Sequence, residues 1–187
     1  PFNRYAFHVR ASYFDETARI VNQLYAVGMK NIAVFYQNDA YGQAGLAGVN
    51  RALAAVNSKP VALATVERNS VDVANAVKTI SAARPEAVVQ ISAYKSCAAY
   101  IREARKAGSG SQFFNVSFVG TAALASELGP DARGVVVSQV MPFPFAAVTP
   151  LSAEFIKAAS SGKVDLNYSS MEGYVAARVF TEALRRA

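Results

Sequence analysis

With 187 residues, 52% of them apolar and 17% charged, the chain is long enough to bury a core and too apolar to be disordered. No apolar run approaches the ~18–20 residues that cross a bilayer, and Pro1-Phe-Asn-Arg4 lacks the basic start and apolar stretch of a signal peptide. The formal charge of +6 is scattered except at Arg102–Lys106 and Arg185-Arg186, near predicted helix C-termini, so it reads as solvated surface rather than a nucleic-acid face.

In chain order, Tyr5-Ala-Phe-His-Val-Arg10 alternates like a strand. A helix is expected from near Asp15, with Ile20, Val21, Leu24 and Val27 inward and Gly28 ending it. Asn31–Tyr36 is an apolar β-branched run, and Leu46, Val49, Leu53 and Val56 mark a second helix. A strand over 60–66 precedes a third helix capped by Asp72, with Val73, Val77 and Ile80 inward; Pro85 blocks its extension. A strand over 87–92 leads to a fourth helix, 95–107, with Cys97, Ile101 and Ala104 on one face and Gly108 at its end. A strand over 113–119, a short helix near 121–128 and a strand over 134–140 follow. Met141-Pro-Phe-Pro-Phe145 reads as an extended crossover, because its prolines donate no backbone hydrogen bonds. Thr149-Pro150 opens a helix to about Ser160, and Ser169-Ser-Met-Glu172 fits a capping box starting a last helix to about 186.

Strands alternating with helices predict an α/β fold: a doubly wound, mostly parallel sheet flanked by helices. Residues 1–140 are expected to form one such unit. Residues 141–187 add two amphipathic helices with no strand to cover, which suggests part of a second lobe. In sheets of this kind, ligands bind outside the carboxyl ends of the strands. The segments there are Asn38-Asp-Ala-Tyr-Gly42, Ser92-Ala-Tyr94 and Ser117-Phe-Val-Gly-Thr121.

Enzyme chemistry finds little footing. His8, the single histidine, sits in an alternating segment, and the single Cys97 lies on an inward helix face, where a thiol is inert packing. No nucleotide-binding glycine loop follows a strand, and no Cys/His cluster suits zinc, so no cofactor or metal is expected. Binding signals are better. Tyr41 follows a strand end and can stack on a ligand and donate from its hydroxyl, or pack on its own helix. Tyr94 occupies the same kind of place after the third strand, and Ser117 puts a small hydroxyl at the end of the fourth. Glu172 is a capping-box carboxylate or a ligand contact, and Tyr174, one turn into the last helix, reads first as packing.

Taken in order, several segments carry a resemblance: Phe7–Arg10, Asn31–Tyr36 with Asp39–Gly42, Ser92–Tyr94, Phe113–Gly134, Met141–Pro144 and Glu172–Val179. Over nearly its whole length the chain resembles type I periplasmic solute-binding proteins of ABC transporters, the leucine/isoleucine/valine-binding group. The resemblance implies a two-lobed protein closing on a small solute, an amino acid or a carboxylate, for delivery to a membrane permease in the periplasm. It implies no enzymatic activity, and it points to Tyr41, Tyr94, Ser117 and Tyr174 as ligand contacts. Branched-chain binders place a carboxylate at the position of Ser117. A serine there implies either that another acid, such as Glu172, serves the ligand's ammonium group or that the ligand lacks one. The resemblance also implies a piece lacking most of the N-terminal lobe, with apolar helix faces that favour self-association. The ligand-sensing domain of a transcription regulator or receptor shares this architecture and is the alternative reading.

Overall fold

The computed structural model describes residues 5–187; the Pro1-Phe-Asn-Arg4 start lies outside the described residues. The chain divides into two compact units, Ser12–Ser138 and the described residues 5–11 together with Gln139–Ala187.

Ser12–Ser138 begins with α1 (Tyr13–Ala26), whose start is a reciprocal cap: the Asp15 N–H donates to Ser12 Oγ and the Ser12 N–H to the Asp15 carboxylate. Gly28 leaves the helix at φ +86°, a conformation in which a Cβ would be strained. Then follow β1 (Ile32–Gln37), α2 (Ala40–Ala54), β2 (Ala62–Val66), α3 (Ala74–Ala82), β3 (Ala87–Ile91), α4 (Tyr94–Lys106), β4 (Gln112–Asn115), α5 (Thr121–Leu128) and β5 (Val135–Val137). The five strands pair in parallel in the order β2-β1-β3-β4-β5. This is the doubly wound α/β architecture that the alternation of strands and helices predicts.

Period-two alternation sends neighbouring strand residues to opposite faces, and each face is covered. Ile32, Val34, Val89 and Phe114 pack under α1 and α2 with Ile20, Leu24, Val49 and Leu53. Ala33, Phe35, Val88 and Phe113 pack under α3, α4 and α5 with Ile80, Tyr100, Ile101 and Leu128. The Tyr100 ring stacks on Phe35 with centroids 4.4 Å apart. Cys97 is fully buried in this second layer, and burial pushes its thiol up, which leaves the sulfur as packing.

Several local expectations are corrected. Val27 and Val56, expected inward, are exposed because they lie beyond the last turns of α1 and α2. Asp72 does not cap α3; Val73 occupies the cap position without a side-chain bond, and its own burial sets where the helix begins. The strand expected to reach 119 ends at Asn115, and the chain turns through a 3-10 helix at Ser117–Val119 before Gly120, at φ +79°, opens α5. The strand expected over 134–140 is only three residues long, because pairing with β4 stops at Asn115↔Val137.

The second unit contains α6 (Pro150–Gly162) and α7 (Tyr168–Arg186). Thr149 caps α6 by accepting from the Ser152 N–H at 3.1 Å. The segment 5–11 forms no strand, and it groups with 139–187 rather than with the sheet. Its alternation instead sets Tyr5, Phe7 and Val9 against Ala176, Val179 and Phe180 of α7 around an apolar hollow of about 400 Å³. The cap of α7 is Asn167, bonded reciprocally with Ser170, not Ser169 with Glu172. Starting the helix earlier leaves the Glu172 carboxylate to pair with Arg10 at 2.5 Å. Among the described residues of this unit, the buried apolar side chains are Met141, Phe155, Ala159 and Met171. No helix of the described residues is long and apolar enough to cross a membrane.

Candidate functional site: the carboxyl edge of the sheet

The strand order reverses between β1 and β3, so the chain leaves these two neighbours in opposite directions and opens a crevice at their carboxyl ends. The loop after β1 is tightly built. Asp39 caps α2, accepting from the Gly42 N–H at 3.1 Å, while Gln37 Nε2 donates to its other oxygen at 2.5 Å. The Gly42 N–H foremost, then the Gln37 amide, hold the Asp39 carboxyl below its ordinary value of 3.8. A Cβ on Gly42 would lie 1.8 Å from the Gln37 carbonyl oxygen, so only glycine lets α2 start this close to β1.

That constraint fixes Tyr41. Its ring lies 5.2 Å from Tyr13 and 5.1 Å from Phe118, both tilted, forming an aromatic group over the sheet end. Its hydroxyl is buried without a hydrogen-bond partner, and burial pushes the phenol well above its ordinary value, so it remains a neutral donor. Beyond β3, Ser92 Oγ is likewise buried and unpartnered, and Tyr94, the first residue of α4, is half-buried against the opposite layer. Tyr41 and Tyr94 therefore flank the reversal point from the two faces of the sheet.

Ser117 lies past β4 in the 3-10 turn, and its surroundings contain a residue that the sequence reading passed over. Glu16, in the first turn of α1, is only 4% exposed. Its carboxylate accepts from the Ser117 N–H at 2.5 Å, from Ser117 Oγ at 3.1 Å and from Ser138 Oγ at 2.5 Å. Phe118, next in the turn, is 60% exposed. Both were within reach of the sequence: Glu16 stands one turn before Ile20 on the inward stripe of α1, where a carboxylate is out of place, and Phe118 is an aromatic residue in a strand-end segment.

The structure thus brings Tyr41 and Ser117 together, joined by Phe118 and Glu16. It places Glu172 and Tyr174 in the other unit. There Glu172 is paired with Arg10, and Tyr174 packs on Phe155 at 5.6 Å with its hydroxyl 3.5 Å from Glu154. His8 is exposed, and no cluster of His, Cys, Asp and Glu among the described residues could hold a metal ion.

Comparison with known proteins agrees with the fold. The whole chain, residues 1–187, matches the periplasmic binding protein family. The chain belongs to that family. Its members and the structural neighbours are solute-binding proteins rather than enzymes. A possible leucine/isoleucine/valine-binding protein from Rhodopirellula baltica is 34% identical, with a TM-score of 0.84 over 94% of this chain and 50% of that one. A substrate-binding periplasmic protein from Ralstonia solanacearum is also 34% identical, with a TM-score of 0.83 over 96% of this chain and 52% of that one. A branched-chain amino acid ABC transporter protein from Thermus thermophilus, solved with bound valine, shares the fold at 19% identity and a TM-score of 0.82, over 100% of this chain and 50% of that one. The chain spans about half the length of these structures. No curated protein matches it.

Proposed function

We propose that this chain is the solute-contacting part of a periplasmic binding protein that hands a small organic solute, an amino acid or a carboxylate, to an ABC-transporter membrane permease. The observation that carries the reading is the polar, aromatic carboxyl edge of the sheet. Tyr41, Ser92, Tyr94 and Ser117 follow the carboxyl ends of β1, β3 and β4 there, and the hydroxyls of Tyr41 and Ser92 are buried with no protein partner. Unpaired buried hydroxyls cost free energy, and a solute supplying partners recovers it. The Tyr41 and Phe118 rings offer apolar contact, and Tyr41, Tyr94 and Ser117 offer aimed hydrogen bonds. Tyr174 is kept as a further contact only insofar as a solute reaches the second unit, and Glu172 enters only by giving up Arg10. Binding is reported to the permease by hinge closure, the usual response of two-lobed binders.

The test is a thermal-shift screen of the full chain against branched-chain, polar and aromatic amino acids and aliphatic and aromatic carboxylates, with NAD and a UDP-sugar as controls. A solute at ~100 times its dissociation constant stabilises by about 2.7 kcal/mol, a rise of a few degrees. Tyr41→Ala and Tyr94→Ala should weaken the same response. Stabilisation by the nucleotides alone, or by nothing in the panel, overturns the proposal.

A further inference from the structure

We propose that one water molecule is built into the sheet layer beneath α4, donating to Gln90 Oε1 and Asn115 Oδ1 and joining β3 to β4 where their ladder ends. Gln90 and Asn115 are register partners, the final pair of that ladder, so their side chains leave the same face of the sheet side by side. Both residues are fully buried. Phe35 and Val137 flank them in the same row, and Val88 and Phe113 fill the row before, so their neighbours on this face of the sheet are apolar.

The nitrogen end of each amide is placed. Gln90 Nε2 donates to the Cys97 carbonyl at 3.5 Å, and Asn115 Nδ2 donates to the Val136 carbonyl at 3.3 Å. Turning either amide over would set its oxygen against a carbonyl oxygen, so the two carbonyls fix both orientations. The oxygen ends are left over: Gln90 Oε1 and Asn115 Oδ1 are buried, and neither has a hydrogen-bond partner in the protein.

Nor do the two side chains satisfy each other. Neighbouring strands lie only about 4.8 Å apart, yet the Gln90 amide does not donate to Asn115 Oδ1. Both leftover groups are acceptors, so whatever joins them must donate twice. Water does so with two protons and no charge. A metal ion is not suited, because the pair brings no carboxylate and no cluster of His, Cys, Asp and Glu among the described residues could hold one. A buried acceptor left bare loses its hydration without recompense, and a bridging water restores the bond to both.

The place matters as much as the chemistry. One further backbone bond, from the Val116 N–H to the Gln90 carbonyl, follows the pair, and then the two chains part. Ile91 stays beside Tyr36 of β1, while β4 gives way to the 3-10 turn Ser117–Val119. The water thus fastens β3 to β4 at the base of the loops that carry Tyr94 and Ser117.

The test is a crystal structure of the full chain at a resolution that shows ordered water, solved as wild type and as the double variant Gln90→Met/Asn115→Leu. The wild type should show one density peak about 2.7–3.2 Å from both oxygens. The double variant keeps the side-chain bulk and removes both acceptors, so the peak should be gone. A Gln90 amide donating directly to Asn115 Oδ1, or a dry gap between the two oxygens, overturns the proposal. A peak that persists in the double variant is held by other atoms and overturns it as well. If the double variant does not fold, the wild type decides together with NMR: nuclear Overhauser transfer from a long-lived water to the Gln90 and Asn115 side-chain amide protons is expected, and its absence at both overturns the proposal.

Discussion

The two units solve the burial problem differently. Ser12–Ser138 covers both faces of a five-stranded sheet, so its apolar residues interlock in two continuous layers. The unit formed by 5–11 and 139–187 has two helices, four buried apolar side chains, and large apolar residues such as Phe7, Phe180 and Leu184 more than 60% exposed. A sheet face or helix stripe stabilises only against something that covers it. Stability should therefore be concentrated in the first unit, and substitutions of the same chemical type should behave differently in the two.

The largest contrast is between two phenylalanines. Phe35→Ala removes a fully buried ring stacked on Tyr100 and should cost about 3–5 kcal/mol, whereas Phe180→Ala, 64% exposed, should stay within about 0.5 kcal/mol. Urea unfolding of both variants measures this, and equal losses would break the comparison. Two glycines come next. Gly42→Ala forces a Cβ onto the Gln37 carbonyl and should cost more than about 2 kcal/mol, while Gly173→Ala, with nothing within 4 Å, should stabilise α7 by roughly 0.5–1 kcal/mol.

Asp39→Ala should cost about 1 kcal/mol through loss of the α2 cap. The Asp39 carboxyl is depressed in the folded chain, so its contribution is complete above its ordinary value of 3.8 and is lost as the pH falls below it. Thermal melts between pH 6 and 2.5 should show the variant losing less stability than the wild type over the acid limb. The smallest effect belongs to Glu172→Gln. Its pair with Arg10 is about a third exposed (31% and 33%), so the cost should lie at roughly 0.2–1 kcal/mol and shrink with added salt.

How much of this was legible beforehand varies along the chain. The helix and strand order could be read wherever one periodicity dominated: Ile32–Phe35 and Val88–Val89 are uninterrupted because both faces of a parallel sheet are buried. The 5–10 segment misled, since alternation reports which side chains share one side of the chain and says nothing about whether the segment joins a sheet. Helix starts were decided by competing caps. Ser169-Ser-Met-Glu172 satisfies the capping pattern, yet Asn167 with Ser170 does so two residues earlier, and sequence alone cannot rank two adequate caps.

The site divides along the same line. The place of the candidate residues in the fold followed from the sequence, because strand ends are fixed by the order of elements, and Tyr41, Tyr94 and Ser117 come just after β1, β3 and β4. The partner of Ser117 did not follow. Glu16 is 101 residues away in sequence, and the two meet only because α1 packs with α2 on one face of the sheet while β4 ends beneath its first turn. Local pattern determined which residues could form strands, helices and caps, since those choices depend on neighbours three or four residues away. Which charge stands behind which hydroxyl was decided by tertiary packing alone, since a hydrogen bond depends on distance in space and not on separation along the chain.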